Sequence, residues 1–268
     1  MPKPDQRYSR KAMRSKYRKP KRRRGGSTGW NVAIAVTVIV GILLVVLVVT
    51  DRRSNDISNS RPLAANQAAN IPGDHWHTYL GINICGEWLG AAPAFEKAFD
   101  NQGDLAPNVG IHSHADGLIH THPFTTSEQG GNATLGHFLD YGGWSMSASD
   151  IDISGGYQWN GPSSAPSQRQ WSNGDKCTFG QYKGQKAEVV WSIDGKPQTG
   201  NPSDYKVQDG ATIAIVFLPK NAELGFPPEA CTAFSNISDQ NTAAVVSKNS
   251  PCRADTGTST TTPATSSP

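Results

Sequence analysis

Runs of apolar and β-branched residues predict short strands in the middle of the chain. Residues 75–85 and 109–122 both have this character. The second range is interrupted by Ala115-Asp116-Gly117, a turn sequence that indicates a β-hairpin. Two further strands are predicted over residues 187–193 and 211–218, each beside an Asp-Gly turn.

One short helix is predicted between the hairpin and the later strands. Asn132 or Thr134 can cap the sequence LGHFLDYGG, and Gly142-Gly143 can end it. Residues 157–176 are polar and irregular and are predicted as a loop. The order hairpin, helix, strand, strand is that of a β-grasp domain, in which a mixed sheet wraps one helix. The predicted fold class is therefore α+β, with a β-grasp-like domain.

An unbroken uncharged run from Val32 to Val49 predicts a single transmembrane helix before this domain, because it is long enough to cross a bilayer core. A cleaved signal peptide is the rival interpretation, but its apolar core and basic region are shorter. The chain is thus predicted to comprise a basic cytoplasmic tail, a transmembrane helix, a linker, an extracytoplasmic globular domain and a disordered Thr/Ser/Pro tail, over residues 1–29, 30–50, 51–73, 74–252 and 253–268.

Charge is distributed very unevenly and sets the predicted orientation. Of 25 Lys and Arg and 22 Asp and Glu, residues 1–29 hold twelve bases and one acid, which leaves the rest formally at −8. Bases beside an apolar span favour a cytoplasmic N-terminus, with the folded part outside the cell membrane. The predicted partners are the lipid bilayer and anionic headgroups at the basic tail. A nucleic-acid-binding arm is not favoured, because the adjacent span already accounts for the charge.

Four cysteines fall on the predicted outer side and lack any C-x-x-C spacing, which disfavours a thiolate zinc site. An even number in an oxidising compartment indicates two disulfides with three alternative pairings. Of these, Cys85–Cys177 with Cys231–Cys252 is the preferred one.

Histidine pairs are the strongest functional signal. All seven histidines lie between residues 75 and 137, and six form H-x-H pairs. Residues i and i+2 of a strand point to one face, so each pair can aim two imidazoles at one metal ion. The sequence therefore predicts a transition-metal site, with zinc or copper favoured. The predicted ligands are His112, His114 and His120, followed by His122, His75 and His77.

Residues around these pairs have lesser predicted roles. His137 is expected to pack within the helix. Asp74, Asp116 and Glu87 are candidates for carboxylates that orient a ring nitrogen. Common hydrolase, phosphate-binding and dinucleotide-binding motifs are absent.

The register of the hairpin decides whether its four histidines share a face. A two-residue Asp116-Gly117 turn would place the two pairs on opposite faces. A three-residue loop with Gly117 left-handed would set His112 opposite His120 and bring all four together. We favour the three-residue loop, because it also lets Ile111 and Ile119 pack together on the helix.

The segments HWHTYLGINI, GIHSHADGLIHTHPF and NATLGHFL resemble a family of uncharacterised envelope-anchored bacterial and archaeal proteins with paired H-x-H motifs and a β-grasp-like C-terminal half. His75, His77, His112, His114 and His120 match the family's histidine positions, whereas His122 stands where the family often has Glu. The resemblance implies an envelope location and supplies no activity.

Three functions are compatible with these observations. The first is a membrane-anchored extracytoplasmic protein that binds a transition metal. The second is a non-enzymatic module that binds protein or glycan through its sheet or through exposed Trp159 and Trp171. The third and weakest is a metal-dependent hydrolase or oxidase.

Overall fold

The structure is a computed structural model that describes residues 35–40, 42, 61–66, 72–99, 107–237 and 246–253. The chain divides into two units, residues 1–52 and 53–268. In the first unit the described residues are helical, and five of their apolar side chains are 48% to 58% exposed: Val36, Val38, Ile39, Val40 and Ile42.

Much of the predicted membrane topology falls on residues that are not described. The predicted basic tail, most of the predicted span and residues 254–268 of the predicted C-terminal tail lie outside the described residues. Within the described ranges, no helix has both the length and the apolar character needed to cross a bilayer.

The second unit is an α+β domain with a mixed sheet. Its strands are β1 Trp76–Ile84, β2 Glu87–Trp88, β3 Phe95–Lys97, β4 Asn108–Ser113, β5 Leu118–Thr121, β6 Ser145–Met146, β7 Asp150–Asp152, β8 Gln170–Ser172, β9 Glu188–Ile193, β10 Lys196–Pro197 and β11 Thr212–Leu218. Its helices are α1 Leu135–Gly142 and α2 Ala230–Ser235, with short 3-10 turns at Gly130–Asn132 and Pro202–Asp204.

The main sheet has the order β10-β9-β11-β1-β5-β4-β3, with β2 also paired to β1. Strands β1 and β11 are parallel at its centre, and β5 and β9 flank them in antiparallel pairing. Strands β6, β7 and β8 form a second, three-stranded sheet. The prediction of an α+β fold with a mixed sheet is confirmed.

Alternation along the strands divides the main sheet into two different faces. One face carries Ile82, Ile111 and Ile119, which are buried in a cluster with Phe138 and Leu139 of α1. Thr134 caps α1 by accepting a hydrogen bond from the amide of His137, and left-handed Gly143 ends the helix, as the sequence predicts. The other face of the sheet is therefore the one available to the alternate residues of β1, β4 and β5.

Both predicted disulfides are present, Cys85–Cys177 and Cys231–Cys252. The second one ties α2 to the segment at residues 246–253. Val246 and Cys252 of this segment pack, together with Phe234 of α2, beside Tyr79 of β1.

The prediction of exposed Trp159 and Trp171 is wrong. The two side chains are only 1% and 2% exposed, within the main core cluster. Trp171 belongs to β8, which forms inside the predicted loop over residues 157–176. The indole of Trp159 donates a hydrogen bond to the carbonyl of Gly90 at 2.9 Å. Both rings are buried because they pack into the main core cluster, so neither offers a stacking surface for a glycan.

Part of the predicted linker is held against the domain. Arg61 forms an ion pair with Asp74, and the amide of Leu63 donates to the Asp74 carboxylate at 2.7 Å. The amide of Gly130 donates to the carbonyl of Pro62 at 2.9 Å. Asp74, predicted as a partner of a histidine ring, is instead engaged by residues 61 and 63.

Candidate metal site

The hairpin adopts the register that aligns its histidines. Ile111 pairs with Thr121 and His112 with His120, which leaves Ala115-Asp116-Gly117 as a three-residue loop. Gly117 has a φ of 85°, the left-handed conformation that glycine adopts at low cost. The amide of Leu118 donates to the Asp116 carboxylate at 3.0 Å and stabilises the turn. The preferred three-residue loop is confirmed.

Strand β1 extends this row of histidines. His77 lies directly opposite His120, which in turn lies opposite His112, so one row crosses three adjacent strands. Residues two positions away along each strand point the same way. Six histidines therefore share one face of the sheet, which we call the histidine face: His75, His77, His112, His114, His120 and His122.

The six imidazoles form a closed ring on that face. Consecutive ring centroids are 4.2 to 5.1 Å apart along the circuit His75, His77, His120, His114, His112, His122 and back to His75. His77, His112 and His120 are at most 5% exposed, whereas His114 is exposed. Dense packing of basic rings makes it costly to protonate them together.

Two of these rings are held in the neutral form. Burial, followed by repulsion from His122, lowers the pKa of His112 to about 3, because the hydrogen bond from Nδ1 to the Val109 carbonyl only partly opposes these two effects. Burial, with repulsion from His75 and His120, also lowers the pKa of His122. A neutral imidazole keeps a lone pair on one nitrogen, which is the form that binds metal.

His120 is oriented by a carboxylate. Its Nε2 lies 2.8 Å from Asp116 Oδ2. In the neutral tautomer whose Nε2–H donates to this carboxylate, Nδ1 carries the lone pair. Burial raises the pKa of Asp116, but hydrogen bonds from His120 and the Leu118 amide outweigh it and hold the pKa below its usual value. Nδ1 of His120 is buried and has no hydrogen-bond partner among the described residues. A carboxylate–histidine pair of this kind is a common way to present imidazole to a metal.

Two groups of side chains converge closely enough to bind a metal ion. His75, His77 and His120 form one group and His114, Asp116 and His120 the other, with the ligand atoms of each group within 4.8 Å of one another. Two nitrogens that bind one tetrahedral zinc are about 3.3 Å apart, so small side-chain rotations would close either group.

The remaining predicted residues belong to neither group. His112 Nε2 is 3.3 Å from His122 Nε2, and these two rings face each other outside both groups. His137 projects from α1, which packs on the opposite face of the sheet, and its ring stacks on Tyr141. Glu87 hydrogen-bonds to Ser164. Of the three carboxylates predicted to orient a histidine, only Asp116 is hydrogen-bonded to one in the described part of the chain.

A cavity of about 470 Å³ opens beside the histidine face. His77, His114, Asp116 and His120 line one side, and Tyr79 and Leu118 line its apolar part. Helix α2 and the residues beside it supply the far wall, including Glu229, Thr232 and Asn236.

Sequence reasoning did not identify the residues of this far wall, or Glu96, whose carboxylate is 3.7 Å from His114 Nε2. No local pattern connects α2 to the hairpin, which is more than 100 residues earlier in the chain. The predicted pairing of Cys231 with Cys252 indicated that this region is folded but not where it packs.

Comparisons with known proteins leave the site to be interpreted from its own geometry. No family model, no curated protein and no solved structure matches the chain.

The neutral histidines predict that the metal-free protein loses stability in mild acid. The folded-state pKa of His112 is below the value of about 6.5 for an unfolded chain, so the unfolded state binds more protons between these values. The contribution of neutral His112 to the free energy of unfolding is thus fully present above about pH 6.5. It falls as the pH decreases, by on the order of a few kcal/mol near pH 4.5.

Urea unfolding of chelator-treated protein at pH 7, 5.5 and 4.5 measures this effect. The variant His112→Gln lacks the titrating ring, so its stability should change less over the same range. Equal pH dependence in the two proteins would contradict the assignment.

Proposed function

We propose that this domain binds a divalent transition metal ion, zinc or copper, through His75, His77 and His120. The observation that carries the proposal is the convergence of these three side chains around a buried His120 whose Nδ1 has no hydrogen-bond partner in the described residues. A buried polar nitrogen without a partner is costly, and a bound metal would remove that cost.

The chemistry of the donors supports these metals. Neutral imidazole nitrogens suit zinc and copper, and all four cysteines are in disulfides, so thiolate ligands are excluded. Asp116 would hold the His120 ring in the required tautomer and increase its basicity. The 2.8 Å separation of Asp116 from Nε2 is short for two ligands of one ion, which favours Asp116 as an orienting group in this site.

We further propose that the domain is of β-grasp type and that a single span anchors it to the cell membrane. The central parallel pair of β1 and β11, flanked by β5 and β9 and covered by α1, supports a β-grasp-type domain with β4 and β3 added at the edge. The basic residues 1–29, the apolar run Val32–Val49 and two disulfides support a single-pass anchor with the domain outside the cell membrane.

Metal content tests the proposal. The full chain is extracted in detergent without a histidine tag, dialysed against metal-free buffer and analysed by elemental mass spectrometry. We expect at least about one zinc or copper per chain in the parent, since three imidazoles form a complete zinc ligand set. His75→Ala/His77→Ala should lose it, while the matched control His137→Ala should keep it. A metal-free parent that takes up no added zinc or copper would overturn the proposal.

A metal-dependent hydrolase or oxidase is a second candidate, favoured by the cavity. Three protein ligands leave one coordination position for water or substrate. His77 and His120 both line the 470 Å³ cavity, so an external molecule could reach that position. Azide added to the cobalt- or copper-loaded protein should change its visible spectrum if the position is open, and an unchanged spectrum would argue against enzymatic chemistry at this site.

A further inference from the structure

His120 belongs to both groups of converging side chains, and its ring has two nitrogens. With Nδ1 directed to the proposed metal, Nε2 remains beside Asp116 at 2.8 Å. His114 and Asp116 complete the second group, and the rings of His114 and His120 are only 4.2 Å apart. The two groups therefore share the single imidazole of His120.

We propose that the histidine face binds two divalent metal ions bridged by the imidazole of His120. The first ion is held by His75, His77 and Nδ1 of His120, and the second by His114, Asp116 and Nε2 of His120. The inference rests on the proposed function, because the first ion must be present for the ring to act as a bridge.

Binding of the second ion replaces a proton. The Nε2–H bond of His120 breaks, the Nε2–metal bond forms, and the proton leaves to solvent, so the bridging ring becomes an imidazolate. Nε2 and the Asp116 oxygen must separate from 2.8 Å to about 3.3 Å to become neighbouring ligands. The side chains of His114 and Asp116 are 47% and 39% exposed, which leaves them room to move.

The surroundings favour a second cation at this position. Two divalent ions repel each other, and the negative charges of Asp116 and the imidazolate reduce that repulsion. Glu96 adds a carboxylate 3.7 Å from His114 Nε2. The adjoining cavity provides space for water molecules that would complete the coordination of the ion. The two ions would lie about 6 Å apart across the ring, farther than the roughly 3.5–4 Å of common two-metal sites.

Copper titration followed by electron paramagnetic resonance tests the bridge on the full chain. The first equivalent of Cu²⁺ should give the signal of an isolated copper ion. The second equivalent should reduce that signal, because an imidazolate couples the two unpaired spins. His114→Ala/Asp116→Asn should still give the full signal of one isolated copper, with an affinity about 10- to 100-fold lower because it lacks the carboxylate that orients His120. Its affinity for the second copper should fall by at least about 100-fold. The control His137→Ala should behave as the parent.

Each outcome separates this inference from the proposed function. If the parent protein binds no copper, the proposed function itself is wrong. A parent that binds one equivalent only, or two with additive signals, retains the first site and overturns the bridge. Unchanged coupling in His114→Ala/Asp116→Asn would also overturn it, because the second ion would then have other ligands.

Discussion

His120→Ala is expected to weaken binding of the first metal ion by more than about 100-fold, since even the loss of an orienting partner costs about 10- to 100-fold and His120 is a proposed ligand itself. His120 also lies at the centre of the histidine row, between His77 and His112. Its removal would leave only His75 and His77 for the first ion. Competition with a chromophoric zinc chelator measures the change in affinity.

His122→Ala is the matched control for this prediction. His122 lies on the same face, yet it belongs to neither group of converging side chains. Its loss should change zinc affinity less than about 10-fold, below the range seen when an orienting partner is removed. Thermal unfolding of both metal-free variants would confirm that each is folded. Equal losses of affinity would contradict the assignment of His120 as a ligand.

Removal of the Cys85–Cys177 disulfide should cause the largest loss of stability. The bond closes 92 residues, whereas Cys231–Cys252 closes 21. A longer loop restricts the unfolded chain more, so replacement of both cysteines by alanine should cost about 4.6 kcal/mol for the first bond and about 3.3 kcal/mol for the second. Cys85 and Cys177 are also at most 2% exposed, so solvation of the replacement side chains would recover little of the lost stability.

Urea unfolding without added oxidant or reductant measures the free energy of unfolding of both double variants. The Cys231→Ala/Cys252→Ala protein serves as the internal comparison, because it lacks the shorter loop alone. It should retain the first metal, since neither cysteine lies on the histidine face. The reverse order of stabilities would contradict the prediction.

Local sequence signals predicted much of the hairpin and its surroundings. Gly117 at the third loop position and the need to bury Ile111 and Ile119 together favoured the observed register, which aligns His112 with His120. The cap at Thr134 and the stop at Gly143 were also predictable, because both follow from short-range hydrogen bonding and backbone conformation.

Long-range pairing could not be predicted in the same way. His112 and His114 were the first expected partners of His120, because they lie in the same hairpin. The structure keeps His114 within reach of His120 and leaves His112 outside both groups. It also brings His77 of β1 and His75, directly before β1, within reach of His120. Nothing in the alternation of β1 specifies that it pairs with β5, about 40 residues later in the chain, and with β11 on its other side. The burial of Trp171 was missed because β8 is a short strand inside a polar segment, and it pairs with β7 across an irregular stretch of the chain.

The most direct test of the metal site is anomalous diffraction from crystals of the protein grown with one equivalent of zinc. The strongest peak should lie on the histidine face, within about 2.0–2.1 Å of one nitrogen from each of His75, His77 and His120. A strongest peak with any other set of ligands, or no peak on that face, would contradict the account.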